Sequence, residues 1–341
     1  MNRNLVFTNV KGMSDDDWMR FRKRGIGASE VGAILGLSEY TSSMELYYDK
    51  IGEELNYKVE NIAMLMGHET EPLNSKLWQY WEGTEESIVR NYRAKRIVRK
   101  AQNVNGYIQN PKYPWLFVSL DRKINKHIWK GEQKGEGALE LKNMSGFERN
   151  KWETGIPAPY LVQVQTQCLV CEFDYGELCI MQDGRGIEVY QFERNKEICE
   201  AIIEQTHEFW KRVERGRILK TQIYEAERNF NQILANELRA EIQMLEPEPD
   251  GSDGLEKFLK EKYRKGTEGE RTGTPHELDW GIKHLNAKNK IKELTLTVQE
   301  AENHLKHSMR EMEILNFGAD GKIYWSNDIS GKRIFRNRLK I

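Results

Sequence analysis

The chain has 341 residues, with 52 Lys and Arg against 53 Asp and Glu, so its net charge of −1 sets up no global field toward a polyanion and any basic footprint has to be local. Apolar residues make up 38% of it, which suits a folded chain with a sizeable core and argues against disorder. The absence of an 18-residue apolar run, and of an apolar core in the opening MNRNLVFTNVKG, excludes a membrane helix and a secretory leader and leads to the expectation of a cytoplasmic protein.

The first 52 residues read as three short helices. Ser14 caps SDDDWMRFRK with Asp17 at the capping-box position, Ser29 caps SEVGAILG, and SSMELYYDKIG opens on serines and closes at Gly52. Between the first two, Arg20, Arg22, Lys23 and Arg24 precede the Gly-rich turn RGIGAS, an arrangement that suits either a bound anion or an ordinary capped surface helix. A longer helix, IAMLMGHETEPLNSKLWQYWEG, carries Leu73, Leu77, Trp78 and Trp81 as an apolar stripe and turns Glu71 toward the buried side.

From residue 87 the pattern reads as strands: SIVRNYRAKRIVRK, PWLFVSLDRKI, GALELKN, ELCIMQDG and GIEVYQFER. The helix PAPYLVQVQTQCLVCEF interrupts them, and NKEICEAIIEQTHEFWKRVERG closes the series. Residues 1–224 thus read as an α/β core, a mixed central sheet flanked by helices. Residues 225–341 read as a helical C-terminal appendage. It holds polar helices, the acidic turn LEPEPDGSDG, the stretch GTEGERTGTP, a long charged helix and a terminal hairpin, and serves as a DNA-binding or oligomerisation arm.

Two local basic clusters stand out. RNYRAKRIVRK carries Arg90, Arg93, Lys95, Arg96, Arg99 and Lys100, and the tail KRIFRNRLKI sets five basic residues around Phe335; each is either a solvated strand face or a nucleic-acid contact. The four cysteines, Cys168, Cys171, Cys179 and Cys199, are read as small apolar core residues of a reducing compartment.

Strand alternation puts Ser119 and Asp121 on one face of WLFVSLD, opposite Leu116, Val118 and Leu120, and puts Glu140 and Lys142 together in ALELK, opposite Leu139 and Leu141. Charged side chains within apolar strands are costly unless paired or bound to an ion. Carboxylates with a phosphate make a usual Mg²⁺ site, and a neighbouring lysine can hold or deprotonate an attacking water. Such a set suits phosphodiester hydrolysis; the bland alternative is a strand-end Asp and a Glu–Lys surface pair.

With these residues in place, WMRFRKRGIGASEVGAILG, MGHETEPL, VSLD, LELK and YLVQVQTQCLV resemble, in order, the motifs of the PD-(D/E)XK nuclease superfamily and, within it, the YqaJ-type viral recombinases similar to phage lambda exonuclease. The resemblance implies a restriction-endonuclease-like core with Asp121 and Glu140 as metal carboxylates, Lys142 as the catalytic lysine, Glu71 helping to hold a second metal, and Gln163 bordering the site. It also implies a 5′-phosphate pocket from Ser119, Ser29 and an arginine, with Arg22 at the family spacing and Arg24 close by. Asp121 and Glu140 lie further apart in sequence than in lambda exonuclease, which reads as a longer hairpin through GEQKGEG. Relatives with an iron–sulfur cluster place one cysteine ahead of the core, and here none lies ahead.

The activity so implied is a 5′-to-3′ double-strand DNA exonuclease of phage or prophage origin that uses Mg²⁺, two ions by resemblance with Mn²⁺ as a substitute. It would leave 3′ single strands for a single-strand annealing protein and would work as a ring-shaped oligomer such as a trimer. The alternatives are a structure-specific endonuclease of the same superfamily and a DNA-binding recombination mediator without catalysis.

Overall fold

Side-chain oxygens of Ser14, Ser42 and Thr84 accept from the backbone N–H groups of Asp17, Glu45 and Ser87, and each cap residue is itself extended where its helix starts. In a computed structural model that describes residues 4–52, 62–129, 132–144, 152, 155–264, 266, 269–328 and 330–340, two compact units form, Met1–Lys265 and Gly266–Ile341. Gly131 of GEQKGEG, parts of GTEGERTGTP and the terminal Ile341 lie outside the described residues.

The first unit runs β1 (Val6–Asn9), α1 (Asp15–Arg22), β2 (Ile26–Gly27), α2 (Val31–Ile34), α3 (Ser43–Lys50), α4 (Ile62–Tyr80), α5 (Glu85–Arg93), β3 (Ala101–Gln102), β4 (Gly106–Gln109), β5 (Leu116–Ser119) and β6 (Arg122–Ile124). It continues with β7 (His127–Trp129), β8 (Glu132–Lys134), β9 (Gly137–Met144), α6 (Ala158–Cys171), β10 (Tyr175–Gln182), β11 (Gly186–Glu193), α7 (Lys196–Arg228), α8 (Gln232–Met244) and α9 (Asp253–Lys262). A five-stranded mixed sheet has the order β11-β10-β9-β6-β3, with β9 and β10 parallel and the other pairs antiparallel. Beside it lies a four-stranded sheet, β1-β4-β5-β2. The mixed α/β core and its flanking helices are therefore as the pattern predicts, and the added length before Glu140 is indeed a hairpin, β7-β8.

Alternate residues of the central strands feed two apolar layers. Leu139, Leu141, Cys179 and Met181 pack with Trp78 of α4, whereas Ala138, Leu178 and Ile180 pack with Val164, Cys168 and Val170 of α6. All four cysteines are buried among these groups, as their apolar reading requires, and burial pushes the Cys168 thiol up to about 12. Among the described residues no helix is long and apolar enough to cross a membrane.

Four sequence expectations change. The run PWLFVSLDRKI is not one strand: it bends after Leu120, so β5 pairs in one sheet and β6 in the other, with Asp121 at the crossing. Residues 87–93 are helical, because Thr84 caps the segment, Glu85 and Glu86 occupy its first turn, and Arg90 and Arg93 its last. Leu73 is exposed, and the buried face of α4 is set by Asn74, Ser75 and Trp78.

The division between units falls at 265/266 instead of 224/225, since α7 continues to Arg228, α8 packs along it, and α9 packs on α3. Helix α7 runs through Gly216 because a Cβ there would meet the Tyr47 hydroxyl at 2.5 Å; the glycine admits a neighbour and does not stop the helix. In the second unit, α10 (Pro275–Met309) precedes the antiparallel sheet β12 (Ile314–Asn316), β13 (Gly321–Asn327) and β14 (Arg333–Leu339), which contains the predicted hairpin.

Candidate active site

The pairing of Arg122 with Leu139 across β6 and β9 sets Asp121 level with Glu140. The Leu141 N–H donates to Asp121 Oδ2 at 2.8 Å, which fixes the carboxylate against the central strand. Glu140 is 2% exposed and both of its oxygens are occupied. Oε1 accepts from Gln163 Nε2 and pairs with Lys142 Nζ, each at 2.6 Å, and Oε2 accepts from Gln167 Nε2 at 2.6 Å.

Glu71 reaches the same place from α4 and pairs with Arg122 at 2.5 Å. One helical turn on, Asn74 donates to the carbonyls of Lys142 and Cys179, at 3.1 and 3.2 Å, and so pins α4 to β9 and β10 at the depth of the site. Asp121, Lys142 and Glu71 line a cavity of about 850 Å³ that His68 and Met144 also border. The structure thus gathers all five predicted catalytic residues, Asp121, Glu140, Lys142, Glu71 and Gln163.

The charges are not balanced in the protein alone. Burial, then the Glu140 carboxylate, pushes the Asp121 carboxyl up to about 8 against the pull of Lys142 and the Leu141 N–H. Burial also pushes Lys142 down, but Glu140 and Asp121 outweigh it, and the amine is held as an ammonium well above the usual lysine range. Among the described residues no three His, Cys, Asp or Glu side chains stand close enough to enclose a metal by themselves. The donors are nevertheless all oxygen, and Asp121 and Glu140 could hold a hard divalent cation, which would relieve the surplus carboxylate charge.

Three partners escaped the sequence reading. Gln167 lies four residues after Gln163 on the same face of α6, a spacing that was visible; Arg122 follows Asp121 directly, and Asn74 follows Glu71 by three. Each was hidden because a neutral amide or a lone arginine carries no motif of its own.

The predicted anion site is built differently from its sequence reading. The chain from Ala28 to Glu30 is a 3₁₀ turn, followed by the single turn of α2, so Ser29 is exposed within the turn and is not a helix cap. Parallel pairing of Ile26 with Leu116 and Gly27 with Phe117 runs this turn alongside the end of β5 that bears Ser119. Gly25 answers to packing, since a Cβ there would meet Phe117 and the Trp115 carbonyl at 2.9 Å.

Arg22 lies over the Trp18 ring and donates to Glu30 Oε1 at 2.9 Å, leaving a third of its side chain exposed. Glu30 Oε2 accepts from the Gly27 N–H at 2.8 Å and from Lys50 Nζ at 2.7 Å. Burial raises the Glu30 carboxyl, but Lys50 and Arg22 lower it further, so it remains ionised below the usual carboxylate range. Arg24 is exposed, with its guanidinium 6.0 Å from the Phe21 ring centroid and no ion pair among the described residues. The first basic cluster is also divided: Arg90 and Arg96 pair with Glu82, and Arg99 is buried against Glu177.

Residues 17–174 match the YqaJ-like viral recombinase domain. The uncharacterized protein YqaJ of Bacillus subtilis (strain 168) is 27% identical over 337 residues, spanning 96% of this chain and 90% of its own length. Among solved structures, an alkaline exonuclease (LHK-Exo) from Laribacter hongkongensis aligns with a TM-score of 0.46 at 19% identity, over 62% of this chain and 98% of that one. The structure of SSO0001 aligns at a TM-score of 0.30 and 14% identity, over 59% and 87%.

Proposed function

We propose that this chain, whose residues 17–174 match the YqaJ-like viral recombinase domain, is a Mg²⁺-dependent exonuclease that degrades duplex DNA from 5′ ends and leaves 3′ single strands for annealing. The observation that carries the reading is the meeting of Asp121 and Lys142 at one cavity wall, backed by Glu140 and Gln163 bonded behind it, with carboxylate charge that the protein leaves uncompensated. A divalent cation held by Asp121 and Glu140, with a second near Glu71, would supply charge neutralisation at the scissile phosphate and a more acidic water.

The chain's own groups divide the remaining work. Gln163 and Gln167 fix the two oxygens of Glu140, so the carboxylate presents one orientation. Lys142, held as an ammonium, donates a hydrogen bond to the attacking water or to a phosphate oxygen. Arg22, oriented by Glu30 and Trp18, grips a terminal 5′-phosphate with Ser29 and Ser119, and the free Arg24 is the weaker candidate for that grip. Mn²⁺ as a substitute ion, a single-strand annealing partner, a ring-shaped trimer, and cytoplasmic action in a phage or prophage setting belong to the same proposal.

Linear blunt duplexes carrying a 5′-phosphate or 5′-hydroxyl and labelled at either end test it. Mg²⁺-dependent loss from the 5′ end is expected, with no hydrolysis by Lys142→Ala or in chelator. Loss from the 3′ end, or rapid cutting of a circular duplex, would overturn the polarity and point to an endonuclease. The preference for 5′-phosphate is expected to vanish in Arg22→Ala and persist in Arg24→Ala, a loss of about 1.5–3 kcal/mol for one charge-assisted contact. The reverse pattern would move the pocket to Arg24.

A further inference from the structure

Residues 321–341 contain six Lys or Arg and one acidic residue, Asp328, in a chain whose overall charge is near zero. The sheet of the second unit sorts these cations by face. Cross-strand register sets Lys322 against Arg338 and Tyr324 against Arg336, so these four side chains share one side. Ile323, Trp325 and Phe335 take the other side, where Ile323 is buried and Lys306 of α10 covers the Phe335 ring.

Arg333 belongs to the inner side and is used structurally: it stacks on Trp325 and donates to the carbonyls of Trp325, Arg310 and Met312. Lys322, Arg336 and Arg338 are not committed in this way; Arg338 only lies over the Tyr324 ring, 5.9 Å from its centroid. They are exposed, and among the described residues none of the three makes an ion pair. Asp328 carries an attraction to Arg336, but its carboxylate accepts from Ser330 and Lys332 and is committed to the hairpin turn.

Like charges directly opposite each other across antiparallel strands destabilise the pair. The Lys322–Arg338 pair, extended by Arg336 two residues away, keeps that cost with no carboxylate in ion-pair contact among the described residues. We propose that this outer face, Lys322, Arg336 and Arg338 with Tyr324 beside them, is a second DNA-binding surface that takes the sugar-phosphate backbone and is built from residues that do not line the catalytic cavity. The identity of the polyanion rests on the nuclease reading above; the charge arrangement does not. The face has the row of cations a backbone needs and only one aromatic ring, so it binds phosphates and carries no base sequence preference.

The test uses the full-length protein with fluorescein-labelled single-stranded and duplex oligonucleotides in chelator, titrated over a range of salt. Lys322→Gln/Arg336→Gln/Arg338→Gln is expected to weaken binding at least tenfold and to flatten the plot of log affinity against log salt. Three lost phosphate contacts correspond to a slope change of about 2.7 for a duplex and about 2.1 for a single strand, and the strand type that loses affinity identifies the form held. Lys322→Arg/Arg336→Lys/Arg338→Lys should keep both affinity and slope. Unchanged affinity and slope in the Gln variant, with its thermal melt matching the parent, would overturn the proposal, as would a parent that binds neither form. A parent that binds through this face but hydrolyses no DNA would refute the nuclease reading alone.

Discussion

Asp121→Asn is expected to abolish hydrolysis while raising the melting temperature of the metal-free protein. The carboxyl is pushed up to about 8 by burial and by Glu140, against an ordinary value of 3.8. A raised carboxyl means that the folded state binds a proton that the unfolded state has released between about pH 4 and pH 8. Stability of the metal-free protein therefore rises as pH falls from 8 toward 4, and declines as pH rises through that window. An asparagine removes the cost of holding this proton near neutral pH, which is on the order of a few kcal/mol and a melting shift of several degrees.

The same linkage sets the behaviour toward metal. A divalent cation requires the ionised carboxylate, so it competes with the proton, and stabilisation by Mg²⁺ should be larger at pH 8.5 than at pH 6. Hydrolysis at limiting Mg²⁺ should rise over the same range, and saturating Mg²⁺ should move that acid limb to lower pH. Thermal melts with Mg²⁺ and with chelator, and initial rates of hydrolysis, across that range check these expectations. An Asp121→Asn variant that melts below the parent in chelator, or that still cuts DNA, would remove Asp121 from the centre of the site.

The pieces legible in the sequence were those whose chemistry is periodic along one segment. Asp121, Glu140 and Lys142 could be aimed at one place because strand alternation fixes their faces, and Gln163 followed from its motif on α6. The split of PWLFVSLDRKI was not legible, since a bend at Asp121 changes no residue type; it appears only when β5 and β6 find different sheets. The segment after Thr84 was misread for the opposite reason. Its β-branched and basic residues suggested a strand, and a cap with two glutamates behind it decided for helix. Glu30 was equally hidden: its value comes from Arg22 and Lys50, and Lys50 lies twenty residues further along the chain.

Arg99 shows how far a basic cluster can mislead, and it carries the largest expected effect on stability. In sequence it is one of six cations in RNYRAKRIVRK, yet its side chain is 1% exposed. It donates to both oxygens of Glu177, at 2.8 and 2.9 Å, and lies over the rings of Trp78 and Trp81 at 4.0 and 4.9 Å. Trp78 Nε1 donates to the same carboxylate at 2.7 Å, so the buried Glu177 ties both α4 and the segment before β3 to β10. Removing Arg99 leaves Glu177 buried without its counter-charge, and Arg99→Met is expected to destabilise the protein by about 3–5 kcal/mol. Arg99→Met combined with Glu177→Leu should recover much of that loss, because replacing both charges removes the uncompensated one. Since Glu71 stands two turns before Trp78 on the same helix, the single variant should also lose hydrolysis even where it remains folded. Urea unfolding of the single and double variants measures the coupling. An Arg99→Met protein with parental stability and weakened DNA binding would return Arg99 to the surface role that its neighbours in the sequence suggest.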